Sequence, residues 1–202
     1  MIGIIDYGMG NLRSVENALR AIGQECVISS DLEVLGKCEK LILPGVGAFG
    51  DCMKNIVERN LNGFIKDQVA QNVPLLGICL GMQMLFEKSY EKGEHEGFGF
   101  MKGEIRRMET SLPVPEIGWN NLEWAQDHPL RGLLSPRAHA YYVHSYCAMG
   151  YDNEDLVCYS MYGDVLVPGL VVKGNVMGTQ FHPEKSGEDG LKILRYFAEV
   201  FE

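Results

Sequence analysis

The chain has 202 residues, 46% hydrophobic and 22% charged, an ordinary globular composition at the length of one domain. Lys and Arg number 18 against 27 Asp and Glu, and the net charge of -9 disfavours a nucleic-acid or anionic-membrane partner. The N-terminal MIGIIDYG lacks the basic region of a signal peptide, and the apolar stretch 73–86 is too short and too interrupted by Pro74, Gly77 and Gly81 to span a bilayer.

Met1 to Ile5 predicts a first strand, ended by the turn signal at Tyr7-Gly8-Met9-Gly10. Leu12, Val15, Leu19 and Ile22 fall on one face of a helix that Asn11 is placed to cap. Glu25 to Ile28 and Leu41 to Leu43 read as strands, the latter stopped by Pro44-Gly45, and a polar amphipathic stretch covers 51–71. Pro74 to Gly77 reads as a strand, followed by a helix from Leu80 to Lys88. Strands that are continuous apolar runs, alternating with helices, predict a mostly parallel central sheet flanked by helices. From Gly97 onward the texture changes to short strands near 97–108, 120–125, 140–148, 156–161, 166–172 and 176–181, an antiparallel elaboration. A closing helix carries Leu191, Leu194, Ala198 and Phe201 on one face. The expected architecture is an α/β fold in one domain, 1–202.

Six cysteines lie at 26, 38, 52, 79, 147 and 158 with no Cys-x-x-Cys pair, which fits thiols in a reducing cytoplasm rather than a zinc site or disulfide framework. Cys79 alone stands in a chemical context. Leu75-Leu76-Gly77-Ile78-Cys79-Leu80-Gly81 runs a strand into Gly-x-Cys-x-Gly and then a helix, the layout of a nucleophile elbow with sulfur in place of oxygen. The following helix start would favour a thiolate, and the Leu80 amide would face a developing oxyanion. The competing reading is a buried cysteine in a tight turn. Of five histidines, His182 ends an apolar strand in Gln180-Phe181-His182-Pro183-Glu184, with an acid two residues on that can orient its ring. The competing reading is a satisfied polar residue at a strand end. Leu43 to Gly50 holds three glycines in six residues, a loop able to bring backbone N–H groups to a ligand, or an ordinary turn. Gly8-Met9-Gly10 with Asp31 imitates a dinucleotide fingerprint, but Arg13 occupies its third glycine place.

PGVGAFG, GICLGMQ, PEIGWN, YYVHSY and QFHPEKS, in this order, closely resemble the class I glutamine amidotransferase family over nearly the whole chain. The motifs are most similar to its glutaminase subunits that serve imidazole glycerol phosphate synthesis. The resemblance implies Cys79 as nucleophile, His182 as general base and Glu184 as its orienting acid. It implies an oxyanion hole from Val46, Gly47 and Leu80, and glutamine-holding positions at Gly45, Gln83, Glu91, His144, Ser145 and Tyr146. It also implies a face of Asn11, Trp119, Tyr141 and Lys185 toward a TIM-barrel cyclase, to which ammonia passes in histidine biosynthesis. No metal or organic cofactor is required. Glu116 departs from the pattern, standing where the family usually has a histidine. That change is read as one tolerated on a surface loop, or as the mark of a paralogue feeding another synthase, such as one acting on a surface sugar. A stand-alone cysteine hydrolase and a catalytically silent binding module on the same fold remain the other readings.

Overall fold

The computed structural model describes residues 1–202. Its first half consists of β1 (Ile2–Ile5), α1 (Leu12–Ala21), β2 (Cys26–Ser29), α2 (Leu32–Leu35), β3 (Lys40–Gly45), α3 (Phe49–Glu58), α4 (Leu61–Ala70), β4 (Leu75–Cys79) and α5 (Leu80–Gln83). The second half adds β5 (Phe86–Ser89), β6 (His95–Glu96), β7 (Met101–Arg107), β8 (Glu116–Asn121), β9 (Glu123–Trp124), β10 (His139–His144), β11 (Tyr146–Met149), β12 (Leu156–Tyr162), β13 (Val165–Lys173), β14 (Val176–Thr179) and α6 (Gly187–Glu199).

The central sheet has eight strands in the order β2-β1-β3-β4-β14-β13-β12-β9. The strands from β2 to β14 pair in parallel, and β13, β12 and β9 continue antiparallel. The expected α/β sheet with an antiparallel elaboration is therefore the observed one. Strand side chains alternate between faces. Ile4, Ile42, Leu76 and Ile78 pack with α1 and α6 on one side, while Ile5, Leu41, Leu43 and Leu75 pack with α3 and α4 on the other. Two further sheets, β8 with β10 and β11-β7-β5-β6, complete the second half, and residues 143–146, from the end of β10 to the start of β11, reach Cys79 at the C-terminal end of β4, where open α/β sheets hold ligands. No helix is long and apolar enough to cross a membrane.

Several local expectations change. The strand at Leu41 continues through Pro44-Gly45 to pair with Ile78 and Cys79. Its other neighbour, β1, stops pairing at Ile42, so the missing N–H of Pro44 costs no ladder bond. The stretch 51–71 is two helices, broken where Asn60 takes a left-handed φ of 58°. Asp31 caps α2 through its side chain, a plain structural role for the acid of the false dinucleotide fingerprint. Asn11 sits at the start of α1 but makes no side-chain cap; its Oδ1 accepts from Ser14 Oγ at 2.8 Å. The helix expected to reach Lys88 is a single turn. Carbonyls at Met84, Leu85 and Phe86 accept instead from Phe98, Met101 and Gly99, which draws the chain into β5.

Candidate active site

Cys79 is the last residue of β4 and has φ 56° and ψ -112°, a conformation costly for a side chain with a Cβ. The glycines around it make that turn possible. A Cβ on Gly77 would stand 2.6 Å from the Gly81 carbonyl oxygen, and one on Gly45 2.6 Å from the Gly81 nitrogen. A Cβ on Gly81 would overlap the Leu43 carbonyl, so β3, β4 and α5 close on one another through backbone alone. Because α5 is one turn, its contribution at Cys79 is the unpaired N–H groups of that turn rather than a long helix dipole.

The sulfur lies in a cleft of about 330 Å³ whose walls include Val46, Gly47, Leu80, Gln83, Glu91, His144, Ser145, Tyr146 and His182. Cys79 is 6% exposed, so its sulfur meets the cleft rather than bulk water. His182 follows the end of β14, fixed by its backbone N–H to the Tyr141 carbonyl at 2.9 Å. Glu184 lies on the 3-10 turn Pro183–Lys185 rather than on an extended strand. That turn brings Glu184 Oε1 to 2.8 Å from His182 Nδ1, with both side chains shut off from solvent. His182 Nε2 is buried with no hydrogen-bond partner, leaving the nitrogen opposite Glu184 free on the cleft side. Burial works against the imidazolium, but interaction with Cys79 and Glu184 outweighs it and raises the pKa from 6.5 to about 9.

Gly47 has φ +94°, open to glycine, and Gly45 pairs directly with Cys79 across the sheet. Behind this strand Tyr7 donates to the Pro44 carbonyl at 2.8 Å, and the Cys52 thiol faces the Val46 carbonyl at 3.4 Å. Burial pushes the Cys52 thiol up to about 11, so it stays protonated. Glu91 reaches the cleft and accepts the Phe49 N–H at 2.8 Å, capping α3. Gln83 donates to the Tyr146 carbonyl at 2.9 Å and to Gln180 Oε1 at 3.0 Å.

Gln180 escaped the sequence reading. It is fully buried, and its Nε2 stands 3.9 Å from Cys79 Sγ. Its signal was a long polar side chain just past the end of β14, two positions before His182. Glu116 corrects another expectation. It lies on β8, 3% exposed, and bonds His144 Nε2 at 3.0 Å, so it belongs to the wall behind the cleft and not to a surface loop. Trp119 and Tyr141 pack edge to face at 6.1 Å, and the Lys185 Nζ stands 5.9 Å from the Tyr141 ring. Ile117 and Trp119 are 64% and 57% exposed, an apolar patch on the β8–β10 ribbon. Asn11 lies at the start of α1, outside the cleft.

Residues 3–200 match the family described as "Glutamine amidotransferase class-I". The chain is 50% identical over 198 residues to the "Imidazole glycerol phosphate synthase subunit HisH" of Lactococcus lactis subsp. lactis (strain IL1403), covering 98% of each chain. It is 46% identical over 195 residues to the protein of the same name from Aquifex aeolicus (strain VF5), covering 96% of this chain and 94% of that one. A solved structure titled "Structure of PurLQS from Thermotoga maritima" superposes with a TM-score of 0.76 at 22% identity, covering 97% of this chain and 96% of that chain, a likeness of fold.

Proposed function

The chain belongs to the class I glutamine amidotransferases, and from that premise we propose that it is a glutaminase subunit acting with a cyclase in imidazole glycerol phosphate synthesis. One observation carries the chemistry. A sulfur at a strained strand end shares a small cleft with an imidazole whose far nitrogen is tied to a buried carboxylate and whose near nitrogen has no partner. Relatives matched over 98% and 94% of their length are named as imidazole glycerol phosphate synthase subunits, which supports the proposed place in histidine biosynthesis.

In this reading Cys79 Sγ attacks the side-chain carboxamide carbon of glutamine. The C–N bond breaks, His182 delivers the thiol proton to the departing nitrogen, and ammonia leaves a glutamyl thioester. His182 then takes a proton from water, whose oxygen displaces the sulfur to release glutamate. The Leu80 amide and the Val46–Gly47 peptide hold the oxyanion in both steps. Glu184 keeps Nδ1 protonated so that Nε2 does the work. Gly45, Gln83, Glu91 and the His144–Tyr146 segment receive the substrate, and the cleft suits a small amino acid. Ammonia is mostly protonated in bulk water and the ammonium ion is no nucleophile, so direct delivery to a bound acceptor enzyme makes chemical sense. Asn11, Trp119, Tyr141 and Lys185 are assigned to the docking face for that partner, a TIM barrel. The chain acts as one domain in the cytoplasm, in keeping with its six unpaired thiols. Glu116 is buried rather than on a surface loop, and the relatives matched over nearly their whole length carry the imidazole glycerol phosphate synthase name, which favours that acceptor over the paralogue reading.

The test is glutamate release and imidazole glycerol phosphate formation in the complex with the cyclase, wild type against Cys79→Ala. A loss of about 10³-fold or more with the complex intact is expected. Undiminished glutamate release from the variant would overturn the assignment.

A further inference from the structure

The His144 and Glu116 side chains form a second buried imidazole–carboxylate couple at the cleft, to which the mechanism above gives no part beyond the substrate-holding backbone at His144–Tyr146; they are 2% and 4% exposed. His144 Nδ1 faces the Tyr146 carbonyl at 2.9 Å, an acceptor that cannot donate, so Nδ1 carries a proton. Nε2 faces Glu116 Oε2 at 3.0 Å, and two lone pairs at that distance in a buried site would repel, so a second proton lies between them. The other Glu116 oxygen accepts from Asn120 Nδ2 at 2.9 Å. Two titratable neighbours stay neutral, because burial raises the Tyr142 phenol, hydrogen-bonded to Ser160, and the Cys147 thiol, the latter to about 12. Cys79 and His182 line the cleft that His144 faces. The Tyr146 carbonyl is the junction, because Gln83 donates to it at 2.9 Å as well and leads on through Gln180 to the Cys79 sulfur.

We propose that Glu116 is a positioning residue for the glutamine pocket: through a proton shared with His144 it fixes the Tyr146 carbonyl, and thereby holds Gln83 ready for substrate. This rests on the glutaminase reading of the Cys79 cleft. A misplaced Gln83 weakens ground state and transition state alike, so the effect falls on KM and not on kcat.

The experiment compares Glu116→Leu, Glu116→Gln, Gln83→Ala and the Glu116→Leu/Gln83→Ala double variant in the complex with the cyclase, by glutamine kinetics. Nitrogen-15 spectra of the His144 ring are recorded on the wild-type chain and on Glu116→Gln. Glu116→Leu strands Nε2 and is expected to raise KM about tenfold, the worth of one charge-assisted hydrogen bond, with kcat within about twofold. Glu116→Gln recovers most of that loss, since its carbonyl can take the Asn120 N–H while its amide donates to a neutral His144. The double variant is no worse than Gln83→Ala alone, because Glu116 acts through Gln83. In the wild type Nδ1 is protonated and Nε2 shares a proton; in Glu116→Gln only Nδ1 is protonated. A folded Glu116→Leu with wild-type KM, a loss confined to kcat, or an unprotonated wild-type Nδ1 would each overturn the proposal. If Glu116→Leu does not fold, the ring spectra can still overturn the proposal, through an unprotonated wild-type Nδ1. A wild-type complex that releases no glutamate would sink the glutaminase reading instead, while the spectra still report on the couple.

Discussion

Replacing Glu184 by Gln keeps the shape of the orienting group and removes its charge. In the wild type, Glu184 Oε1 lies 2.8 Å from His182 Nδ1 in a site closed to water. Burial alone would lower the ring's pKa, yet Cys79 and Glu184 raise it from 6.5 to about 9, a preference for the imidazolium of about 3 kcal/mol. In Glu184→Gln the new amide oxygen would still accept from Nδ1, so the ring should keep its place while losing the charge that stabilises its protonated form. We expect the alkaline limb of kcat/KM for glutamate release, near pH 9 in the wild type, to move to lower pH in the variant. At neutral pH the rate should fall about 10²-fold or more. Stability carries the same signature. The folded-state pKa lies above the unfolded one, so the stability that His182 contributes is complete below about pH 6.5 and is lost as pH rises through about 9. The fall in thermal midpoint across that window should therefore be larger for the wild type than for the variant. A variant with an unmoved alkaline limb and a rate within about threefold of wild type would refute the assigned role of the His182–Glu184 pair.

Gly81→Ala would drive a methyl group into the Leu43 carbonyl, and the backbone junction of β3, β4 and α5 cannot give way. A cost of about 3 kcal/mol is expected, a fall in melting temperature of roughly 6–12 °C by calorimetry; a shift below about 2 °C would contradict the close approach. Burial raises the Cys52, Cys147 and Cys158 thiols to about 11, 12 and 12. Iodoacetamide on the native chain at pH 8, read by peptide mass, should spare these three, and rapid labelling of any of them would show that it is not held as described.

Much of the fold was legible because its signals are local. Ile2–Ile5 and Leu75–Cys79 are apolar runs too short for helices, and their continuity announced strands covered on both faces. Cys79 and His182 were legible for a related reason. A glycine two residues to either side of a cysteine, and a proline and acid after a histidine, are choices that the backbone of an elbow and the pairing of a ring require of nearby residues. Phe86–Ser89 misled because its helix-like spacing was outweighed by hydrogen bonds to residues 97–101, which no window centred on it contains.

By itself, then, the sequence determined the alternation of strands and helices, the strained turn at Cys79 and the local settings of Cys79 and of His182 with Glu184, the groups proposed to react. Each of these is specified by residues within a few positions of one another, through steric exclusion at glycine and proline and through the period of the strand. Only the tertiary structure decided that Glu116 lies behind the cleft with His144, that Gln180 approaches the sulfur, and that Tyr7 and Cys52 back the glycine strand. Those contacts join residues between 28 and 101 positions apart, or back a strand from other elements. They exist because a buried polar atom must find a partner wherever the packed sheets bring one within reach.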